Sequence, residues 1–176
     1  MIKGSVNIVN DKVAFHKGPL SNWFYCEFTT VEDDEEMTWL SSEQYFMWLK
    51  ARHFNDYSSA CKIYACTTPK EAKDLGRHVK NFDVNEWNKV CEGYMYTACL
   101  AKFKTPEMKK FISDKTFDNR HFVEGSKTDK IWGVGIDWTD NSIGDENNWL
   151  GTNLLGKCLD KVRKTITTSS TSHKMS

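Results

Sequence analysis

Hydrophobic positions follow two different periods along the chain, and the change between them predicts where strands give way to helices. In the N-terminal part, short apolar runs at 6–9, 13–15 and 24–28 are separated by turn residues, which is typical of strands. The acidic run 32–36 precedes another apolar stretch at 37–40, and we interpret it as the solvated loop of a hairpin without a functional role.

From Ser41 onward, apolar residues recur with helical spacing. The predicted helices cover residues 42–53, 56–66, 69–76, 84–104, 106–113 and 152–164. The third of these helices has a clear start and end, with Thr68 as its cap, Pro69 at its first position and Gly76 at its end. Residues 121–136 are predicted to be extended.

These elements predict a helix-rich α+β fold with short N-terminal and central β elements, without the βαβ alternation of a doubly wound sheet. A length of 176 residues fits one domain with a core of its own. We assign that domain to residues 1–164. The Ser/Thr-rich segment 165–176 has little apolar content and is predicted to be a disordered tail.

The charge balance narrows the classes of partner. With 24 basic and 24 acidic side chains the formal net charge is zero, whereas tight, sequence-blind binding to nucleic acid needs a dominant basic surface. A small basic pocket for one phosphate or pyrophosphate stays compatible with this composition. The N-terminus lacks the apolar stretch of a signal peptide and no run is long enough to span a bilayer, so we expect a cytoplasmic protein without a membrane partner.

Cysteine and histidine residues give no sign of a metal site. The six cysteines include no Cys-x-x-Cys pair, and those at 61, 66, 91 and 99 lie beside apolar residues in helix-like segments. Most of the thiols are therefore expected to be buried and free. The five histidines are scattered without the spacing of ligands, so we assign no metal and no cofactor.

Two ionisable residues in the helix predicted at 42–53 are the first candidates for chemistry. Glu43 and Lys50 are seven positions apart, which is two helical turns, so their side chains share one stripe with Met47. The neighbouring positions are aromatic or aliphatic, and partial burial there is expected to perturb both groups. A desolvated lysine is an amine nucleophile, and a nearby carboxylate can move its protons.

A structural interpretation of the same residues stays open. Ser42 would be the N-cap of the helix, and a glutamate in the first turn is favoured by the helix dipole. Lys50 would then lay its aliphatic stem along the apolar face and carry its charge to water.

The segment 124–135 combines acidic, aromatic and glycine residues. Glu124 and Asp129 bracket a polar turn, and Trp132, between this turn and two glycines, is suited to stacking on a flat heterocycle. The glycines allow the backbone to approach another group closely or to adopt a positive φ. A hairpin with a packed tryptophan and surface acids explains the same pattern, and the spacing is not a dinucleotide-binding fingerprint.

Two further places are suited to an anion. Thr152 or Asn153 begins the last helix beside Gly151, where it either caps the helix or belongs to an anion site at the helix N-terminus. Arg77, next to Gly76 at the end of its own helix, is either a phosphate clamp or a complement to the helix dipole.

Seven short motifs follow one another along the chain. They are Leu20-Ser21-Asn22-Trp23, Ser42-Glu43-Gln44-Tyr45 with Lys50-Ala51, Pro69-Lys70-Glu71-Ala72-Lys73 with Gly76-Arg77, Trp87, Ala101-Lys102-Phe103, Glu124-Gly125-Ser126 with Asp129 and Trp132-Gly133-Val134-Gly135, and Asn153-Leu154-Leu155-Gly156. With these motifs in this order, the chain resembles the NADAR (YbiA-like) family from about residue 15 to residue 163. No single motif is specific, whereas the ordered set is, and only the acidic loop and the Ser/Thr tail differ.

The resemblance implies a YbiA-like domain and N-glycosidase activity, the cleavage of a bond between a ribose C1 and a nitrogen. Two substrate classes follow from it: ADP-ribose attached to guanine, as nucleoside, nucleotide or nucleic acid, and phosphoribosylated pyrimidine intermediates of riboflavin synthesis. It also implies Glu43 and Lys50 as the reacting pair, with Asp129 and Trp132 lining the pocket and Asp129 counted as catalytic. The candidate substrate-binding residues are Asn22, Arg77, Trp87, Glu124, Ser126, Trp132, Gly133 and Asn153.

The implied chemistry suits these residue types. Lys50 would add to C1 and form a Schiff base, Glu43 would move protons, and Trp132 with Trp87 would stack on the planar leaving group. The alternative is a non-catalytic module that binds ADP-ribose or a nucleotide. The expected partner is a small nucleotide or ADP-ribosyl substrate, with ADP-ribosylated nucleic acid among the candidates, and the sequence leaves the oligomeric state open.

Overall fold

The computed structural model describes residues 5–172 and confirms a helix-rich α+β fold. The strands are β1 (Val6–Val9), β2 (Lys12–Phe15), β3 (Phe28–Glu32), β4 (Glu35–Trp39) and β5 (His121–Glu124). The helices are α1 (Ser42–His53), α2 (Tyr57–Tyr64), α3 (Pro69–Gly76), α4 (Val84–Phe103), α5 (Pro106–Ile112) and α6 (Leu154–Ser172). Within residues 5–172, no helix combines the length and apolar character that crossing a bilayer requires.

The described chain forms two compact units. One, the central unit, consists of Asn22–Thr105, and the other, the flanking unit, consists of the described residues before and after it. The central unit contains the β3–β4 hairpin and helices α1 to α4, whereas the flanking unit contains β1, β2, β5, α5 and α6.

Helix α1 is the core helix of the central unit. It packs against α2, α3 and α4, and its residues 42–49 and Ala51 are buried. The helix has the predicted bounds, but its cap is Ser41, whose Oγ accepts a hydrogen bond from the backbone N–H of Gln44 at 3.1 Å. The capping role predicted for Ser42 is therefore wrong, since Ser42 is the first helical residue.

The antiparallel pairing of β3 and β4 confirms the hairpin predicted for the acidic run. Only Asp33 and Asp34 form its turn, with φ of 50° and 66°, which Asp tolerates and a two-residue hairpin turn requires. The strand predicted at 24–28 is displaced, because Phe28 begins β3 and pairs with the buried Trp39 across the hairpin.

Helices α2, α3 and α4 lie close to their predicted positions. For α3, Thr68 is the cap and accepts a hydrogen bond from the backbone N–H of Glu71 at 3.2 Å, and Pro69 begins the helix, as predicted. Gly76 ends α3 at a point where a Cβ atom would lie 2.1 Å from Sδ of Met47 on α1. The absence of a side chain at Gly76 therefore allows the close approach of the two helices, since a Cβ atom there would force either Met47 or α3 to shift.

The flanking unit is built on a three-stranded sheet in which β2 lies between antiparallel β1 and parallel β5. Helix α6 packs against β5. Of the extended structure predicted for 121–136, only β5 is a strand. The chain after it turns back, and the backbone N–H of Val134 donates to the carbonyl of Glu124 at 3.0 Å.

Helix α6 corrects two predictions at the C-terminal end. It begins at Leu154 instead of 152, and it continues beyond 164 to Ser172, so residues 165–172 are helical instead of disordered. Buried Ile166 extends the apolar stripe of Leu159 and Val162, and the hydroxyl of Thr168 donates to the carbonyl of Lys164 at 2.8 Å. The rest of the predicted tail, 173–176, lies outside the described residues.

All six cysteines are free thiols. Cys91, Cys99 and Cys158 are buried, Cys26 and Cys66 are partly buried and Cys61 is exposed. Half of the cysteines are therefore buried, whereas the sequence predicted that most of them would be.

Candidate functional site

The candidate residues fall into two sets, one in each compact unit. Those in the central unit are Asn22, Glu43, Lys50, Arg77 and Trp87. Those in the flanking unit are Glu124, Ser126, Asp129, Trp132, Gly133 and Asn153.

The amine of Lys50 has three neighbours in the central unit. Its Nζ donates a hydrogen bond to the carbonyl of Gly76 at 2.8 Å, and it lies 4.4 Å from the ring centroid of Phe82 and 5.5 Å from that of Trp87. Burial lowers the pKa of Lys50 below its ordinary value, and the carboxylate of Glu43 opposes this shift in part. The result is an amine that loses its proton more readily than a surface lysine does.

Glu43 lies in the first turn of α1 and is 7% exposed. Its backbone N–H donates to the carbonyl of Asn22 at 3.1 Å, and its position at the helix N-terminus favours a negative charge. Its electrostatic effect on Lys50 agrees with the shared stripe that the seven-residue spacing predicts.

Asn22 is buried, and protein groups engage its side chain. Its Nδ2 donates to Sδ of Met95 at 3.0 Å, while its Oδ1 accepts from Oγ of Ser42 at 3.0 Å and from Sγ of Cys99 at 3.6 Å. Together with the bond from Glu43, these contacts fasten the first turn of α1 to α4. Asn22 therefore supports the start of α1 in this structure. Its role in substrate binding stays a prediction.

Arg77 and Trp87 differ in their surroundings. Arg77 directly follows α3, is exposed, and places its Nη1 3.4 Å from a carboxylate oxygen of Asp74. Trp87 is partly buried, with ring centroids 5.5 Å from Phe46 and 6.2 Å from Phe54. The aromatic candidate is thus beside Lys50, whereas Arg77 is a solvent-facing cation with an acidic partner.

A cleft of about 380 Å³ in the central unit is lined by other residues. Tyr45 lines it, and the hydroxyl of Tyr45 donates to a carboxylate oxygen of Glu32. Burial raises the pKa of Tyr45 far above its ordinary value, and the bond to Glu32 acts in the same direction. Neither Glu43 nor Lys50 lines this cleft, so it is separate from the candidate chemistry.

In the flanking unit, Glu124 at the end of β5 faces a histidine. Its Oε1 lies 2.7 Å from Nδ1 of His16, Glu124 is 7% exposed, and this hydrogen bond raises the pKa of His16 against the opposing effect of burial. The pair forms because the register of β2 and β5 aligns Phe15 with Glu124, which places His16, the residue after Phe15, beside the Glu124 side chain.

The turn after β5 is held by its own side chains. Oδ1 of Asp129 accepts from the backbone N–H groups of Ile131 and Trp132 at 2.9 and 2.8 Å, and Oγ of Ser126 accepts from the N–H of Asp129 at 3.1 Å. A Cβ atom at Gly133 would lie 2.8 Å from the carbonyl oxygen of Asp129, so glycine is needed there. These bonds fix the position of the partly buried Trp132.

Asn153 connects β5 to the start of α6. Its Oδ1 accepts from the N–H of Glu124 at 3.0 Å and its Nδ2 donates to the carbonyl of Phe122 at 3.0 Å, with the backbone at a φ of 54°. Thr152 donates its hydroxyl to the carbonyl of Ile131 at 2.6 Å. Both side chains thus bond to other segments of the flanking unit.

Sequence reasoning missed His16, Phe82 and the carbonyl of Gly76. The contact of His16 depends on strand register, and that of Phe82 depends on the path of the connection between α3 and α4. The available signal was an isolated aromatic residue within the polar stretch 80–83. Among the described residues, no three His, Cys, Asp or Glu side chains are grouped as a metal site would need.

The NADAR domain model matches residues 10–167, which spans both units. Protein irg-1 of Caenorhabditis elegans is 36% identical over 156 residues, covering 88% of this chain and 72% of that protein. N-glycosidase R617 of Acanthamoeba polyphaga mimivirus is 36% identical over 146 residues, covering 82% and 85%. The NMR structure of the E. coli protein YbiA has the same fold, with a TM-score of 0.71 over 96% of this chain and 92% of that chain at 23% identity.

Proposed function

The chain belongs to the NADAR family, and from that premise we propose that it is an N-glycosidase that hydrolyses a ribose C1–nitrogen bond. The name of the mimivirus relative, N-glycosidase, supports the reaction class. The observation that carries the proposal is the partly buried amine of Lys50, which has a lowered pKa, lies within 5.5 Å of the ring centroids of both Phe82 and Trp87 and is acted on by the charge of Glu43.

Lys50 is the proposed nucleophile. Its neutral amine adds to C1 of the ribose while the C1–N bond breaks and the base leaves with a proton. The C1–O bond of the sugar ring then breaks, the ring oxygen takes a proton from the solvent to become a hydroxyl, and the lone pair of the lysine nitrogen forms the C1=Nζ bond of a protonated imine. Water adds to C1 and the C1–Nζ bond breaks, so one water is consumed and the free amine returns.

Glu43 is the proposed proton carrier. A carboxylate on the same helix face can take the proton that Lys50 must lose and deliver it to the departing base. It can also oppose the positive charge that develops at C1 when the glycosidic bond weakens. Both roles need Glu43 to be held in place, and the bonds of Asn22 to the first turn of α1 supply that support.

The proposed substrates share a ribose, a phosphate and a planar nitrogen heterocycle. ADP-ribose on guanine and the phosphoribosylated pyrimidine precursors of riboflavin both meet that description. Asp129 as a catalytic residue, and Trp132 and Glu124 as substrate contacts, stay predictions from the sequence resemblance. Trp87 is the stacking candidate in the central unit.

The test is to trap the imine. Wild type, Lys50→Ala and Lys50→Arg are incubated with ADP-ribose or with ribose 5-phosphate, reduced with borohydride and weighed as intact protein. Exposed Lys62 supplies the matched control Lys62→Ala. We expect one sugar adduct on wild type and Lys62→Ala, and none on either Lys50 variant, because arginine keeps the charge but has no amine that forms an imine.

Release of guanosine from ADP-ribosylated guanosine is measured in parallel. Turnover in wild type with loss in both Lys50 variants supports the glycosidase. Equal turnover in Lys50→Ala overturns the covalent route, and tight binding without turnover by wild type replaces the enzyme with a binding module.

A further inference from the structure

Phe82 is an exposed aromatic residue that touches the candidate nucleophile. It is 44% exposed, yet its ring centroid is 4.4 Å from Nζ of Lys50, closer than that of Trp87 at 5.5 Å. Its ring also meets Phe54 edge-on, with centroids 5.3 Å apart and planes at 67°. One part of the ring is thus fixed against the protein, while another part stays open beside the amine.

The connection that carries Phe82 is fastened on both sides. The backbone N–H of Lys80 donates to Oδ2 of Asp56 at 2.9 Å, and Nδ2 of Asn81 donates to the carbonyl of Phe54 at 3.4 Å. On the other side, Asp83 caps α4 by accepting from the N–H of Glu86 at 2.8 Å. The chain on both sides of Phe82 is therefore held in place, and the ring itself packs against Phe54.

We propose that Phe82 is a catalytic residue that contacts the sugar and, together with Trp87, stabilises the positive charge that appears on the lysine nitrogen when the neutral amine becomes an iminium. This inference rests on the proposed function. The sugar carbon is bonded directly to Nζ in the intermediate, so a ring whose centroid is 4.4 Å from Nζ is within reach of van der Waals contact with that carbon. The ring face attracts a cation whether it is an ammonium or an iminium.

The other groups around Nζ do not stabilise the iminium charge in the way that the Phe82 ring does. Among the described residues, the carboxylate of Glu43 is the charge that acts on Lys50, and the carbonyl of Gly76 accepts its hydrogen bond. The protonated imine has one N–H group where the neutral amine has two, so fewer hydrogen bonds from Nζ are available to hold the intermediate. The cation–π contact depends on the charge, so it strengthens when the neutral amine becomes the iminium.

The test compares Phe82→Leu, which keeps an apolar cover without a ring, with Phe82→Tyr, which keeps the ring. Tyr57→Leu is the matched control, because Tyr57 is an exposed aromatic of the same unit that lies over Arg52. Borohydride-trapped adduct is measured at subsaturating ADP-ribose, with the Tm of each variant. We expect Phe82→Leu to lose about 3- to 30-fold in adduct yield, Phe82→Tyr to lose less than Phe82→Leu because it keeps the ring, and Tyr57→Leu to match wild type.

A second readout needs no substrate. The rate of reductive methylation of Lys50 is followed against pH by peptide mass, and loss of the ring is expected to move the profile of Phe82→Leu to lower pH. Wild-type yield and an unmoved profile in Phe82→Leu overturn the role of Phe82. Absence of adduct in wild type overturns the covalent proposal instead, and the methylation profile alone then decides whether Phe82 holds the charge. Phe82→Met repeats both measurements if Phe82→Leu is unstable.

Discussion

At the scale of single residues, the reactivity of Lys50 results from two opposing effects on one nitrogen. Burial disfavours the ammonium and lowers its pKa, while the negative charge of Glu43 favours the ammonium and raises it. The net direction is downward, so the neutral amine is available at a lower pH than in an exposed lysine. A nucleophile of this kind requires that balance, because a fully protonated amine has no free electron pair.

Replacing Glu43 with glutamine removes the effect that opposes burial. We expect Glu43→Gln to lower the pKa of Lys50 further and to move its methylation profile to lower pH, with Glu36→Gln on the exposed hairpin as control. Hydrolysis of the glycosidic bond should fall by about 100-fold or more, because the proton carrier is lost, while trapping of free ADP-ribose persists. A profile that stays in place, or moves to higher pH, contradicts the electrostatic link between the two side chains.

At the scale of elements, the close approach of α3 to α1 brings a carbonyl to the lysine. Gly76→Ala would place a Cβ atom 2.1 Å from Sδ of Met47, so either the Met47 side chain or α3 must shift, and a shift of α3 would displace the carbonyl that accepts from Lys50. We expect a loss of about 1–3 kcal/mol in the free energy of unfolding, with a lower adduct yield. Both are measured by urea unfolding and borohydride trapping.

The double variant Gly76→Ala/Met47→Ala provides the control. Truncating Met47 opens space for the new methyl group, so the two substitutions are expected to be non-additive, with part of the loss recovered. Additive effects would show that the approach of α3 does not depend on this contact.

Element prediction succeeded where the determinants are local. The bounds of α1 and the start of α3 follow from helical spacing, the capping Thr68 and Pro69, which lie within one or two turns of each other. The sequence could not separate burial on one face of α1 from burial on all sides, because that depends on the three helices packed around it. The extension of α6 was missed because Thr and Ser can satisfy helix carbonyls as readily as they solvate a tail.

Prediction of the candidate site shows the same division. Glu43 and Lys50 share a helix, so their relation follows from spacing alone. His16 faces Glu124 only because β2 and β5 pair in one register, and Phe82 reaches Lys50 only through the fold of a connection. Such contacts depend on residues distant in sequence, and no local pattern specifies them.

At the scale of the whole molecule, equal numbers of acidic and basic side chains favour a small substrate over a long nucleic acid. A protein that neutralises six to ten phosphates loses about 10³- to 10⁵-fold in affinity between 50 and 200 mM salt, whereas one that contacts one or two loses about 3- to 12-fold. The formal net charge here is zero. We therefore expect weak binding of a labelled duplex DNA, with less than about a 12-fold change across that salt range in fluorescence anisotropy.

Added charge supplies the comparison for that measurement. Glu35 and Glu36 are exposed on β4, and Glu35→Lys/Glu36→Lys changes the net charge from zero to about +4 without touching Lys50. The variant should bind the duplex more tightly and with a steeper salt dependence, while its turnover of a mononucleotide substrate stays at the wild-type level. A steep dependence already present in wild type would mean that basic side chains concentrate on one surface despite the neutral total, and nucleic acid would then become the preferred substrate class.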